Sequence, residues 1–156
     1  MSIEDDIDLF ERVPTLALLG RQALRILAMG AEGKYVPEGM VLFHFGEEAD
    51  SGYVIQRGSF SLDPHGTDGA VKTLTVGPHT LLGEFALLTE TLRPATATAL
   101  EPSTVIRISR SLFLKMLDGF PDAARRLRDH VAARTGQAAN DLRAVQAALD
   151  VASRPR

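Results

Sequence analysis

The sequence contains no cysteine, which removes disulfide frameworks, thiolate zinc sites, iron–sulfur clusters and cysteine nucleophiles together. It has no apolar run near the length of a membrane span, so no membrane association is expected. The N-terminus, MSIEDDIDLFER, is acidic and lacks both a basic n-region and a long apolar core. That argues against a secretory leader, and the chain reads as cytoplasmic. Charge of one sign is also scarce. The formal net charge is −3, which offers no general reason to expect nucleic acid.

Chemistry-bearing motifs are equally sparse. His44, His65, His79 and His130 lie in different segments without His-x-His, His-x-x-x-His or His-Glu-x-x-His spacing, so no metal site is expected. A metal-dependent enzyme built on a β roll would need such a local ligand pair. No Gly-x-Ser-x-Gly elbow, Walker loop or dinucleotide fingerprint occurs. No catalytic residue is assigned, and the chain is not read as an enzyme.

What remains fits one globular domain. The 156 residues are 45% hydrophobic and 24% charged, ordinary for a chain that buries its own core. Three zones differ in period. Residues 7–33 place Leu9, Phe10, Val13, Leu16, Leu19, Leu24 and Leu27 as short helices would bury them, with Pro14 as punctuation. Residues 35–108 break into short apolar runs, VLFHF, YVIQ, FSLD, VKTLTV, ATATAL and VIRI, separated by glycine-bearing turns. That rhythm is the signal of an all-β roll or barrel. Alternation places Val41, Phe43 and Phe45 on one face of their strand, and Ala95, Ala97 and Ala99 on one face of theirs.

From 109 to 152 the period is helical again. SRSLFLKML predicts a short helix ending at Gly119, and Pro121 is suited to the first position of a long one. Ala138, Leu142, Val145, Leu149 and Ala152 recur at spacings that make a short apolar stripe, with Gly136 a candidate bend. Residues 1–12 are acidic and residues 121–156 basic, but aspartates interrupt the arginines, as on a solvated helix face.

The stretch LGEFALLTETLRPAT, residues 82–96, is apolar enough for core yet carries Gly83, Glu84 and Arg93. If Gly83 ends a strand and Glu84 to Leu88 form one helical turn, the first amides of that turn attract anions. Gly83 permits close approach to the backbone. Phe85, Leu87 and Leu88 would anchor the turn while the Ala86 amide points outward. Arg93 supplies a permanent charge whose planar fork matches phosphate. Glu84 suits a sugar hydroxyl, so the pair suggests a ligand carrying both groups.

Gly83-Glu84-Phe85-Ala86-Leu87 through Arg93, then Ala95-Thr96, resembles the phosphate-binding cassette of the cyclic nucleotide-binding domain family. The likeness extends upstream to a glycine ladder, with Gly39, Gly46-Glu47, Asp50, Tyr53-Val54-Ile55 and Gly58. It implies an α+β fold: an eight-stranded antiparallel β roll flanked by N-terminal helices and by C-terminal helices, one of them a long lid. It implies that Glu84 holds a ribose 2′-hydroxyl and that Arg93, with amides near Ala86, holds a cyclic phosphate; the site set is Gly83, Glu84, Phe85, Ala86, Arg93, Pro94 and Ala95. Pro94 departs from the pattern, lacking both an amide hydrogen and the hydroxyl that favours guanine. The expected ligand is therefore cAMP, with cGMP second. Transcription factors of this family add a helix-turn-helix beyond the long helix, for which residues 121–156 leave no room, so no direct DNA binding is expected. Output would pass through a protein partner or through a homodimer on the Ala138–Ala152 stripe. The alternatives are a ligand-free interaction module, or a cyclic dinucleotide in the cassette, to which a single arginine is poorly matched.

Overall fold

A computed structural model describes residues 2–65 and 73–132. The chain enters through α1 (Ile3–Glu11), whose first amides are satisfied by a reciprocal cap. Ser2 Oγ accepts from the Asp5 amide, and the Asp5 carboxylate accepts from the Ser2 amide. This is the capping box, with aspartate in the usual glutamate place. Pro14 occupies the first turn of α2 (Pro14–Ala17), where its missing N–H costs nothing. α3 (Arg21–Gly30) then packs across α1, and Ile7, Phe10, Leu16, Leu24 and Leu27 are fully buried between them. Arg21 reaches Glu4, Asp8 and Glu11, and Arg25 reaches Glu4 at 2.6 Å. These pairs are half exposed, so they orient the helices more than they stabilise them.

Ten strands follow among the described residues: β1 (Glu32–Val36), β2 (Val41–Phe43), β3 (Glu48–Ala49), β4 (Ser51–Arg57), β5 (Phe60–Asp63), β6 (Leu74–Val76), β7 (Leu81–Leu82), β8 (Thr91–Leu92), β9 (Thr96–Ala99) and β10 (Ser103–Ser109). Every pairing is antiparallel, in one sheet ordered β1-β10-β4-β7, a second ordered β2-β9-β5-β6, and the small ladder β3-β8. This is the expected α+β roll, with ten short strands among the described residues where the resemblance implies eight, and with two differences of detail. The first strand starts at Glu32, inside the segment assigned to helices, and the FGEEADSG turn contributes β3, which pairs with β8.

The face assignments divide. Ala95, Ala97 and Ala99 are all buried, while Thr96 and Thr98 are only partly covered. In VLFHF the alternation fails. Leu42 and Phe43 are both buried, and Phe45 is 51% exposed. A register shift between Val41 and Phe43 breaks the pleat, and the strand ends at Phe43 because residues 44–47 turn, the Glu47 amide donating to the His44 carbonyl.

Two apolar clusters result. One fills the roll, with Phe43, Tyr53, Ile55, Phe60, Ala97 and Val105 among its members. The other joins the N-terminal helices to the outer side of β4 and β10 and to the closing helices. Those helices are α4 (Arg110–Gly119), capped by Ser109 Oγ, and α5 (Pro121–Ala132), the break falling at Gly119 and Pro121 as the sequence predicts. Arg126 ties α5 back to the end of α2, donating from Nε to the Leu18 carbonyl at 2.6 Å and from Nη2 to that of Leu19 at 3.2 Å. The apolar stripe Ala138–Ala152, the bend at Gly136 and most of the long lid lie outside the described residues. No helix among the described residues is long and apolar enough to cross a membrane.

Candidate functional site

Between β7 and β8 the chain makes the feature the sequence singled out. β7 is held to β4 by the pairs Tyr53–Leu82 and Val54–Leu81. Gly83 then turns the backbone at φ +86, and residues Phe85–Leu87 form a single 3-10 turn. Ala86, Leu87 and Leu88 are buried and Phe85 is partly so, which fixes the turn to the core. The Ala86 amide, expected to point outward, donates instead to the Gly83 carbonyl at 3.1 Å, because a turn this tight closes its ladder from residue to residue plus three.

Arg93 leaves β8 and folds inward. It is only 4% exposed, and its backbone is gripped on both sides: the Gly46 amide donates to its carbonyl at 2.9 Å, and its own amide donates to the Glu47 carbonyl at 2.8 Å. The turn providing those groups is held by Glu47, whose carboxylate accepts from the His44 amide at 2.7 Å and contacts His44 Nδ1 at 2.6 Å. Inside the roll, the guanidinium carbon lies 4.4 Å from the ring centroid of Phe43 and 5.5 Å from that of Tyr53. Nη2 donates to Ser51 Oγ at 3.3 Å. Nη1 is fully buried and has no hydrogen-bond partner among the described residues. Burial pushes the guanidinium below its usual value, against the opposing pull of Tyr53, Asp50 and Glu47.

Gly83 and Arg93 are therefore brought together. A Cβ on Gly83 would stand 2.5 Å from Arg93 Nη1 and 3.0 Å from the Ser51 carbonyl oxygen. The surface alternative, Arg93 paired with Glu90 or Glu101, is not what forms: Glu101 accepts from Ser59 Oγ at 2.7 Å, and Arg93 is internal. Glu84 is drawn toward the N-terminal helices, its carboxylate accepting from Thr15 Oγ1 on α2 at 3.3 Å. Pro94 is exposed and Ala95 buried. An open cavity of about 420 Å³ runs along this rim, lined by Phe45, Gly46, Thr91, Leu92, Arg93 and Pro94.

Several participants escaped the sequence reading. The sequence places Phe43 on a core face and Tyr53 in the glycine ladder without linking either to Arg93, and it carries no signal for Ser51. Arg110, the first residue of α4, was missed. Its Nη1 donates to the carbonyls of Ala49 at 3.0 Å, Thr89 at 2.9 Å and Ala86 at 3.4 Å, and its amide donates to the Asp50 carbonyl at 2.8 Å. One side chain thereby fastens the closing helices to the turn after Gly83. Asp50 pairs with Arg107 at 3.3 Å. Burial would raise its carboxyl, but Ser51 and Arg107 outweigh that and hold it below the usual range. Among the described residues, no three His, Cys, Asp or Glu side chains gather to hold a metal.

One buried guanidinium nitrogen, Arg93 Nη1, is thus left without a hydrogen-bond partner among the described residues, beside the Gly83 backbone. Residues 33–120 match the cyclic nucleotide-binding domain family. Lysophospholipase nte1 of Aspergillus oryzae is 32% identical over 124 residues, covering 74% of this chain and 8% of that protein. The cAMP-dependent protein kinase regulatory subunit of Yarrowia lipolytica is 31% identical over 107 residues, covering 69% of this chain and 28% of that protein. Among solved structures, a cyclic nucleotide-binding-like protein from Brucella abortus is 39% identical, with a TM-score of 0.65 over 73% of this chain and 98% of that one. The chain thus spans a small part of these two curated relatives and nearly the whole of the solved one.

Proposed function

The chain belongs to the cyclic nucleotide-binding domain family, and on that footing we propose that it is a regulatory protein that binds cAMP, with cGMP as the weaker ligand. One observation carries this reading: the Arg93 guanidinium is buried with Nη1 unpaired. A buried charged donor left without a hydrogen-bond partner is costly, and an entering phosphate would relieve that cost.

In this reading Arg93 binds the cyclic phosphate, and Gly83 keeps the approach open. Phe85 and Ala86 shape the turn, while Pro94 and Ala95 form the far wall. Glu84 accepts from the ribose 2′-hydroxyl, which would take the place of the Thr15 hydroxyl now on its carboxylate. The signal leaves through the closing helices, to a protein partner or a second copy of the chain. A lid of this kind transmits only if it meets the ligand better in one position than in the other. The hydrolytic activity in the name of the lysophospholipase relative is not carried over, since the likeness covers 8% of that protein.

A second reading is favoured by two missing donors. Pro94 has no N–H, and the Ala86 amide is engaged with Gly83. A cassette so depleted could serve as a ligand-free interaction module. Calorimetric titration of cAMP and cGMP into protein refolded from denaturant, with Arg93→Ala alongside, separates the two. Binding that weakens about 30-fold or more in the variant supports the nucleotide reading. An absence of heat with both nucleotides overturns it in favour of the interaction module.

A further inference from the structure

A guanidinium can be held in two ways. A carboxylate grips its edge, occupying N–H donors and cancelling charge before any anion arrives. An aromatic ring grips its face through the negative quadrupole and leaves the N–H edge unused. The two carboxylates whose charge reaches Arg93 are engaged elsewhere, Asp50 with Arg107 at 3.3 Å and Glu47 with His44 at 2.6 Å. What lies against the guanidinium is a pair of rings, its carbon being 4.4 Å from the centroid of Phe43 and 5.5 Å from that of Tyr53, two rings stacked with centroids 6.0 Å apart and planes inclined by 27°. Both rings are buried, so water does not compete for the cation.

We propose that Phe43 and Tyr53 are positioning residues that hold the Arg93 guanidinium over their ring faces in place of a carboxylate, so that Nη1 stays available for the phosphate. The inference rests on the reading of Arg93 as the phosphate ligand. The geometry divides the labour. Gly46 and Glu47 fix the Arg93 backbone, Ser51 takes one nitrogen, the rings hold the charge, and the space left by the absent Gly83 side chain receives Nη1.

Two experiments test the proposal. The first is a double-mutant cycle in urea unfolding of the nucleotide-free chain, using Phe43→Leu, Arg93→Met and the pair. If the ring holds the cation, Phe43→Leu destabilises the chain containing Arg93 more than the chain containing methionine there. Additive losses would overturn the proposal. The second replaces Phe43 by mono-, di- and trifluorinated phenylalanines, which drain the negative face with little change of shape and so preserve folding. cAMP affinity should fall stepwise, to about ten-fold weaker at the last step. Affinity indifferent to fluorine would overturn the proposal while leaving the nucleotide reading intact. If the unsubstituted protein binds no nucleotide, that reading fails instead, and the cycle alone decides whether the rings hold Arg93.

Discussion

The Arg93 guanidinium sits where a Gly83 side chain would be: Nη1 lies 2.5 Å from the Cβ position that glycine leaves empty. The same residue turns the chain at φ +86, a backbone state that an L side chain enters at a cost of about 1–2 kcal/mol. Gly83→Ala should therefore fail twice. Stability in urea should drop by at least about 1 kcal/mol from the backbone alone, and cAMP binding should weaken beyond that because the guanidinium must move. A variant that loses stability but binds cAMP as tightly as the parent would show that Arg93 in this position is not the anion ligand.

Arg110 connects the turn to the closing helices through three carbonyls. Hydrogen bonds from a charged donor contribute about 1.5–3 kcal/mol. Arg110→Ala should cost the chain about 2 kcal/mol in urea unfolding, with the loss concentrated in one place. Amide exchange of Leu87, Leu88 and Thr89 should quicken more than that of β4 or β10. Uniform loss of protection across the roll would mean that Arg110 stabilises the fold without fastening this turn in particular.

Two carboxyls held low in the folded chain predict a loss of stability in acid. Glu47 is held below its usual range by the His44 amide and then its ring, and Asp50 by Ser51 and Arg107 against the effect of burial. A carboxyl depressed in the folded chain adds stability above its unfolded value, and that stability is lost as pH falls through the folded value. The window therefore opens near pH 4 and extends downward. Urea midpoints measured from pH 6 to pH 3 should fall in this range for the parent and fall less steeply for Glu47→Gln and for Asp50→Asn. Both groups are largely exposed, so added salt should flatten the limb as well. Identical slopes in all three proteins would remove these groups as its cause.

Much of this architecture was legible because it is local. Pro14, Gly119 and Pro121 mark helix ends by the chemistry of their own backbones, and the alanine alternation around Thr96 and Thr98 survives because β9 pairs regularly with β5. Phe45 was misplaced because a register shift in β2 is a property of two strands, invisible in either alone. The Gly83–Arg93 segment is conspicuous in the sequence, but the depth of Arg93 is not. Glu90 and Glu101 are near it in the chain, whereas Ser51, Tyr53 and Phe43, which meet it in space, are some forty or more positions away. Arg110 escaped for the same reason: a helix-starting arginine looks solvated until the carbonyls it reaches are placed around it.

Pro94 offers the sharpest discrimination between a working site and a lapsed one. It follows the buried arginine and supplies no N–H at a place where the backbone passes the proposed phosphate. A hydrogen bond to a charged group contributes about 1.5–3 kcal/mol, or roughly ten-fold to a hundred-fold in affinity. Pro94→Ala restores the donor without adding bulk, so cAMP should bind at least about ten-fold more tightly than to the parent. Pro94→Thr restores the donor and adds a hydroxyl, and should raise cGMP affinity more than cAMP affinity. Residue 94 is exposed, so neither change should disturb the core, and the loss in urea stability should stay within the ~1 kcal/mol that removing a proline costs through the unfolded chain. If Pro94→Ala binds no better than the parent, the backbone at 94 does not face the phosphate, and the selectivity argued from the missing hydroxyl falls with it.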